Sequence, residues 1–372
     1  MIRHIAARLA HDDEDSDDTY PTYVKRLCVL AGQDEMYPML ANLAAACKDI
    51  PDSYPSSKIC GDSFCGGSYC EFDLVAGAAY LNKLSVIDKV ANSDHHLRIH
   101  HGIFGDPYIC AALGDNAEAV QLLFHKAELH NQRYTPFWVR HSRLTLVARL
   151  CSTTMTQLFV PEWPPAHYED FEGGKRGYAT ETLDHALLTP HVDTFDFVMG
   201  LKKKTQYPDL EKAQLLSLLD SACEYGWVEM AQHLLALGAP LEVVGAPLKD
   251  DDFVYWKCED PLRVTCEGHR GGTMHSEAIV RLLLSHGARI KGDEVALAAE
   301  TGNIGVVQAL VEAGADVNKG EPHPLVSAIA LERVDLFKAL LSWGAELNSE
   351  VKGACVERAK QENLESMLEL LM

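Results

Sequence analysis

Side chains able to do chemistry gather in three places. Cys60, Cys65 and Cys70 lie in or beside a turn-forming stretch, PDSYPSSKICGDSFCGGSY (51–69), with His95, His96, His100 and His101 downstream. Thiolates and imidazoles ligate zinc, but structural sites pair closely spaced cysteines and then repeat the pair. The spacing C-x4-C-x4-C has no second pair, and the absence of C-x-x-C in this segment limits a redox role. We read ordinary loop cysteines. Cys258, Cys266, His269 and His275 give C-x7-C-x2-H-x5-H, which matches no usual zinc signature. GHRGGTMH (268–275) reads instead as an insertion between two helices. Finally, His141, His167, Asp170 and Glu172 could be imagined as acid–base partners, but such groupings arise by chance at this density of carboxylates and histidines. The chain has no G-x-x-x-x-G-K-[ST], G-x-S-x-G or H-E-x-x-H, and no G-x-G-x-x-G after a strand. No catalytic residue, metal ligand or cofactor is assigned.

Binding chemistry is better represented. Arg133, Arg140, His141, Arg143 and Arg149 concentrate positive charge in a chain of net charge −21. Tyr134, Phe137, Trp138, Trp163, Tyr168, Phe171 and Tyr178 surround them. Arginine and rigid aromatics are the residue types that dominate binding hot spots. Alternatively, the aromatics fill a gap in an irregular stack while the arginines pair with surplus acids. A second concentration is VVGAPLKDDDFVYWKCED (243–260), an acidic and aromatic segment. The candidate partner contacts are Trp138, Arg140, Arg143, Trp163, Tyr168, Asp251, Phe253, Tyr255 and Trp256.

The elements that must position these residues are clearest in VALAAETGNIGVVQALVEAGADVN (295–318). Its spacing predicts one short helix ending near Gly302 and another ending at Gly314. Val306, Val307, Leu310 and Val311 give an inward face, and Ala298 and Ala299 allow close helix approach. The same pattern returns in PLVSAIALERVDLFKALLSWGAELN (324–348), where Leu336, Phe337, Leu340 and Leu341 face inward. It also occurs upstream in 261–291 and 216–242. Gly-Ala pairs stand at 238, 287, 314 and 344, the last three separated by 27 and 30 residues. With the PL starts and the VVxLLLxxGAxxN second helices, this resembles the ankyrin-repeat family, whose period is ~33 residues. The resemblance is clearest over 215–372 and degenerate over 72–204. It implies an all-α solenoid of stacked antiparallel helix pairs with long loop insertions, and partner binding on a concave face and projecting loops. A lone helix pair cannot bury both its apolar faces, so such units must stack.

The expected organisation follows. Residues 1–25 form an acidic, partly mobile N-terminal segment in which MIRHIAARLA makes a short amphipathic helix docking on the body. Residues 26–71 hold a helical cap and the cysteine-containing loop. Residues 72–204 carry degenerate repeats with an insertion at 132–178. There Lys126-Ala127 replaces Gly-Ala, Thr182 caps a helix, and Lys202, Lys203 and Lys204 close one. Residues 205–372 carry regular repeats, the loop 243–260 and a C-terminal cap whose inward stripe is Leu364, Met367, Leu368 and Leu371.

The strongly negative charge argues against a broad nucleic-acid surface and against anionic membranes. No stretch approaches the ~20 apolar residues needed to span a bilayer. Eleven cysteines spread over 372 residues suit a reducing intracellular compartment, cytoplasmic or nuclear. The expected function is non-enzymatic binding of another protein. The alternative is an enzyme or small-molecule binder with a pocket in the divergent region 105–205.

Overall fold

The computed structural model describes residues 2–12, 20–31, 68–91, 104–129, 137–160, 177–204, 210–242, 260–268 and 275–371. These residues form helices and connecting turns, with no strand among them. The protein is all-α. Its contacts divide it into two compact units, Met1–Leu201 and Lys202–Met372.

In the first unit α1 (Ile2–Asp12) buries Ile5, Ala6 and Leu9 and packs on α2 (Tyr20–Ala31) and α3 (Ser68–Tyr80). The close approach depends on Gly77 of α3, where an added Cβ would lie 3.2 Å from Leu27 and 3.3 Å from Ile5. Next come α4 (Leu84–Val90), α5 (Pro107–Leu113) and α6 (Ala117–Leu129). They are followed by α7 (Phe137–Leu150), α8 (Thr153–Phe159), α9 (Gly177–Ala186) and α10 (Val192–Lys204). The helices α1, α3, α5, α7 and α9 pack in succession, while α4, α6 and α8 form a second row.

Local chemistry fixes these elements. Asp106 caps α5 by accepting from the Tyr108 N–H at 2.8 Å, and Pro107 fills the first helical position, where no N–H is needed. The Asn116 side chain donates to the carbonyls of Ala79 and Tyr80 at 2.9 and 2.8 Å, satisfying the end of α3. At the position expected to carry Gly-Ala, α6 does not turn but runs on to Leu129. Lys126 is buried, and its Nζ donates to the Asp88 carbonyl at 2.8 Å and pairs with the Asp88 carboxylate at 2.6 Å. A cation thus closes the C-terminal end of α4. Thr182, expected as a cap, is instead buried within α9, which starts five residues earlier. Lys202, Lys203 and Lys204 do occupy the last turn of α10.

The second unit contains α11 (Lys212–Tyr225), α12 (Val228–Ala236), α13 (Pro261–Glu267) and α14 (Ser276–Ser285). It continues with α15 (Glu294–Glu300), α16 (Ile304–Glu312), α17 (Pro324–Ala330), α18 (Val334–Ser342), α19 (Ser349–Gln361) and α20 (Glu365–Leu371). The odd-numbered helices pack in succession, each also against its even-numbered partner, and α12, α14 and α16 form the second row. Within each unit this neighbour-to-neighbour packing is consistent with a helical solenoid. The core between the rows includes Ile279, Val280, Leu283, Val306, Val307, Leu310, Leu336, Phe337 and Leu340. Leu341, expected to face inward, is 38% exposed. In α20 Met367 and Leu371 are buried, whereas Leu368 and Leu364, just before the helix, are only half-buried.

The Gly-Ala pairs have a direct physical role. Gly238, Gly287, Gly314 and Gly344 all adopt the left-handed conformation, with φ between 88° and 100°. The N–H of the following alanine then donates back to the preceding helix, as from Ala315 to the Leu310 carbonyl at 3.0 Å and from Ala345 to the Leu340 carbonyl at 2.9 Å. A second left-handed residue recurs between the two helices of a pair, at Asn82, Asp115, Gly226, Gly268, Gly302, Glu332 and Asn363. Glu332, with φ 53°, is the bulkiest of these and its side chain is exposed. The left-handed conformation costs a side chain about 1–2 kcal/mol, part of which glycine's greater unfolded freedom offsets. Glu332→Gly is therefore expected to stabilise the protein by about 1 kcal/mol, read as a higher urea midpoint at unchanged slope.

One buried group works against stability. Ser327 of α17 is 4% exposed and its Oγ has no hydrogen-bond partner. A buried hydroxyl without a partner carries a desolvation penalty. Ser327→Ala removes that group and is expected to raise stability by about 1 kcal/mol, visible as a higher melting temperature.

Candidate interaction surface

The divergent region 105–205 contains a polar cluster around the start of α5. Asp106 uses one carboxylate oxygen for its cap and accepts from Arg143 Nε of α7 at 2.8 Å with the other. The Arg143 guanidinium also lies 3.7 Å from the Tyr108 ring centroid. Tyr108 stacks obliquely on Phe124 at 5.1 Å, and Phe124 meets Phe159 edge-on at 5.4 Å. Four helices, α5 to α8, are joined in this way. The Arg143 and Asp106 side chains are only 3% and 1% exposed. Arg143, expected as a partner contact, thus stands in the core of the first unit, paired with Asp106.

The thiols nearby are not poised for nucleophilic work. Burial, with Asp106 and Asp73 close by, holds the Cys110 thiol well above its ordinary pKa, and its Sγ donates to the Phe104 carbonyl at 3.0 Å. Burial likewise pushes Cys151 up to about 12. Thiolate is the reactive form, so both remain inert thiols near neutral pH. Burial also raises Cys223 and Cys266 in the second unit, and raises Cys355 to about 11. Among the described residues, no group of three His, Cys, Asp or Glu side chains is placed to hold a metal ion.

The second unit shows how the acidic and aromatic segment is held at its ends. Glu242, just before it, pairs with Arg289 at 3.6 Å. Asp260, just after it, pairs with Lys291 at 2.5 Å and caps α13 by accepting from the N–H groups of Leu262 and Arg263 at 3.0 and 3.4 Å. The Asp260 carboxylate raises the Lys291 ammonium pKa above its ordinary value. Arg263 joins Asp293 and, at 2.8 Å, Glu267. The buried Glu294 carboxylate accepts from the N–H groups of Lys291 and Gly292, each at 2.7 Å, and closes that connector. The residues on either side of 243–259 therefore both pair with one short connector, residues 289–291. The exposed ion pairs each contribute little stability.

Of the other candidate contacts, Trp138 and Arg140 lie on the first turn of α7. Trp163, Tyr168, Asp251, Phe253, Tyr255 and Trp256 lie outside the described residues, as do Cys60, Cys65 and the histidines at 95–101. Arg289, Lys291 and Asp260 were not anticipated from sequence. The Asp-Pro step at 260–261 was the available signal, because a capping carboxylate before a first-turn proline marks a helix start.

No protein-family model matches the chain. It is 32% identical over 138 residues to an ankyrin repeat and KH domain-containing protein of Caenorhabditis briggsae, covering 35% of this chain and 5% of that protein. It is 29% identical over 124 residues to the ankyrin repeat and KH domain-containing protein mask-1 of Caenorhabditis elegans, covering 32% of this chain and 4% of that protein. The chain thus spans about a twentieth of the length of these relatives. Among the described residues, no helix is long and apolar enough to cross a membrane.

Proposed function

We propose that this chain is an ankyrin-type repeat module that binds another protein without catalysing a reaction. In this reading it works inside the cell, with the partner held on the concave face of the stack and on projecting segments. The observation that carries it is that the residues flanking 243–259 both pair with one connector, Glu242 with Arg289 and Asp260 with Lys291. Asp251, Phe253, Tyr255 and Trp256 lie in the sequence between these two flanking pairs, and aromatic anchors are what protein interfaces use. Trp138, Arg140, Trp163 and Tyr168 form a second proposed contact group on the insertion 132–178. The partial likeness to ankyrin repeat proteins and the paired-helix packing support the reading. Fold alone does not dictate function, so the support rests on the segment and its anchors.

The test is affinity capture by the full chain, run alongside thermal-shift measurements against a metabolite panel. A discrete protein partner retained at near-stoichiometric amounts, with no thermal response to metabolites, supports the module. A reproducible thermal shift with one metabolite class and no retained protein favours a ligand pocket in residues 105–205.

A further inference from the structure

The connector preceding α17 is capped unlike the others. Asp106, Asp260, Asn303 and Asn348 cap their helices through side-chain oxygens, which accept backbone N–H groups at any pH near neutrality. At α17 the cap is His323, whose Nδ1 accepts from the Leu325 N–H at 3.2 Å. That bond requires the neutral ring with its proton on Nε2, because a protonated Nδ1 is itself a donor. From this geometry we propose that His323 makes the joint between α16 and α17 proton-sensitive, closed at neutral pH and loosened on mild acidification.

The surroundings support this. Pro324 follows directly and offers no N–H, so the ring serves the first N–H of the helix that can be capped. The positive end of the helix dipole also disfavours an imidazolium there. The charged groups of the same connector are Asp316, Lys319 and Glu321. On the packed helices, Asp293 and Glu294 stand at the start of α15, and Glu350 and Lys352 at the start of α19, preceded by Glu346. Asp293 is engaged by Arg263, and Glu294 by two backbone N–H groups. The charged groups of α18, which also packs on α17, are Asp335 and Lys338, and Asp335 is engaged by Arg333. Partial burial lowers the His323 pKa from 6.5, and the charge of Asp316 opposes that shift without overcoming it. The sign follows. The unfolded chain binds a proton near pH 6.5 that the folded joint resists, so the cap is complete above that pH and is lost as pH falls through the lower folded value.

The experiment is hydrogen exchange of the full chain at pH 7.5 and 5.5, corrected for intrinsic rates, on wild type and His323→Asn. Asparagine caps helices well and does not titrate. Wild type is expected to lose about fivefold protection at residues 325–327 on acidification, the equivalent of one lost cap, while His323→Asn shows no such loss. An equal loss in the variant would overturn the proposal. So would a nitrogen NMR signature of protonated Nδ1 at pH 7.5, which reads the bond without any substitution.

Discussion

Replacing Arg143 with methionine is expected to destabilise the protein by about 3–5 kcal/mol, the usual consequence of leaving one member of a buried ion pair alone. Methionine keeps most of the stem's volume and removes the guanidinium. The Asp106 carboxylate, 1% exposed, then loses the Nε–H that it accepts at 2.8 Å. Tyr108 loses the cation over its ring at the same time. The double variant Arg143→Met with Asp106→Asn separates charge from packing. Asparagine keeps the oxygen that caps α5 at the Tyr108 N–H but brings no charge into the core. The double variant is therefore expected to recover most of the loss. Chemical denaturation of wild type, the single variants and the double variant gives the coupling directly. A cost for Arg143→Met below about 1 kcal/mol would place the residue at an exposed surface instead, where ion pairs count for little.

Leu310→Ala is expected to cost about 2–5 kcal/mol, because the side chain is fully buried and its removal leaves a cavity. In a linear stack the damage extends to the neighbours, here α14 and α15, which both pack on α16. Leu341 provides the control. It is the last residue of the apolar stripe of α18, next to Leu340, the counterpart of Leu310, and is 38% exposed. Leu341→Ala is expected to cost less than about 1 kcal/mol. Urea titration of the two variants tests the difference, and equal costs would contradict the packing described for α16 and α18.

Those two leucines show what periodicity can and cannot convey. Spacing placed both on an inward face. Whether the fourth apolar position of the stripe is covered depends on the neighbouring helix, which local sequence does not specify. The turns were more legible, because a left-handed glycine followed by a back-bonding alanine is a local device, and Gly302 and Gly314 end their helices as the spacing predicts. Lys126 was not legible. Its purpose is to serve the Asp88 carbonyl, 38 residues earlier, and only the stacked structure brings them together. The pairing of Arg143 with Asp106, across 37 residues, has the same character. Thr182 reads as a cap because the glycines before it suggest loop, whereas α9 begins at Gly177. His323 was overlooked because an imidazole is an uncommon cap. The Asp-Pro steps at 106 and 260 are a local signal, because cap followed by first-turn proline is written in the chain.

The proposed scaffold role places the distinguishing contacts on residues 243–259. The most direct measurement compares affinity capture by wild type with capture by the triple variant Phe253→Ala, Tyr255→Ala, Trp256→Ala, both shown to melt at the same temperature. One aromatic hot spot at an interface costs about 2 kcal/mol or more when truncated, and such costs are not additive. The prediction is a discrete protein retained by wild type and reduced more than about thirtyfold in affinity for the variant. Undiminished retention of that protein by the variant, at equal thermal stability, would contradict the claim.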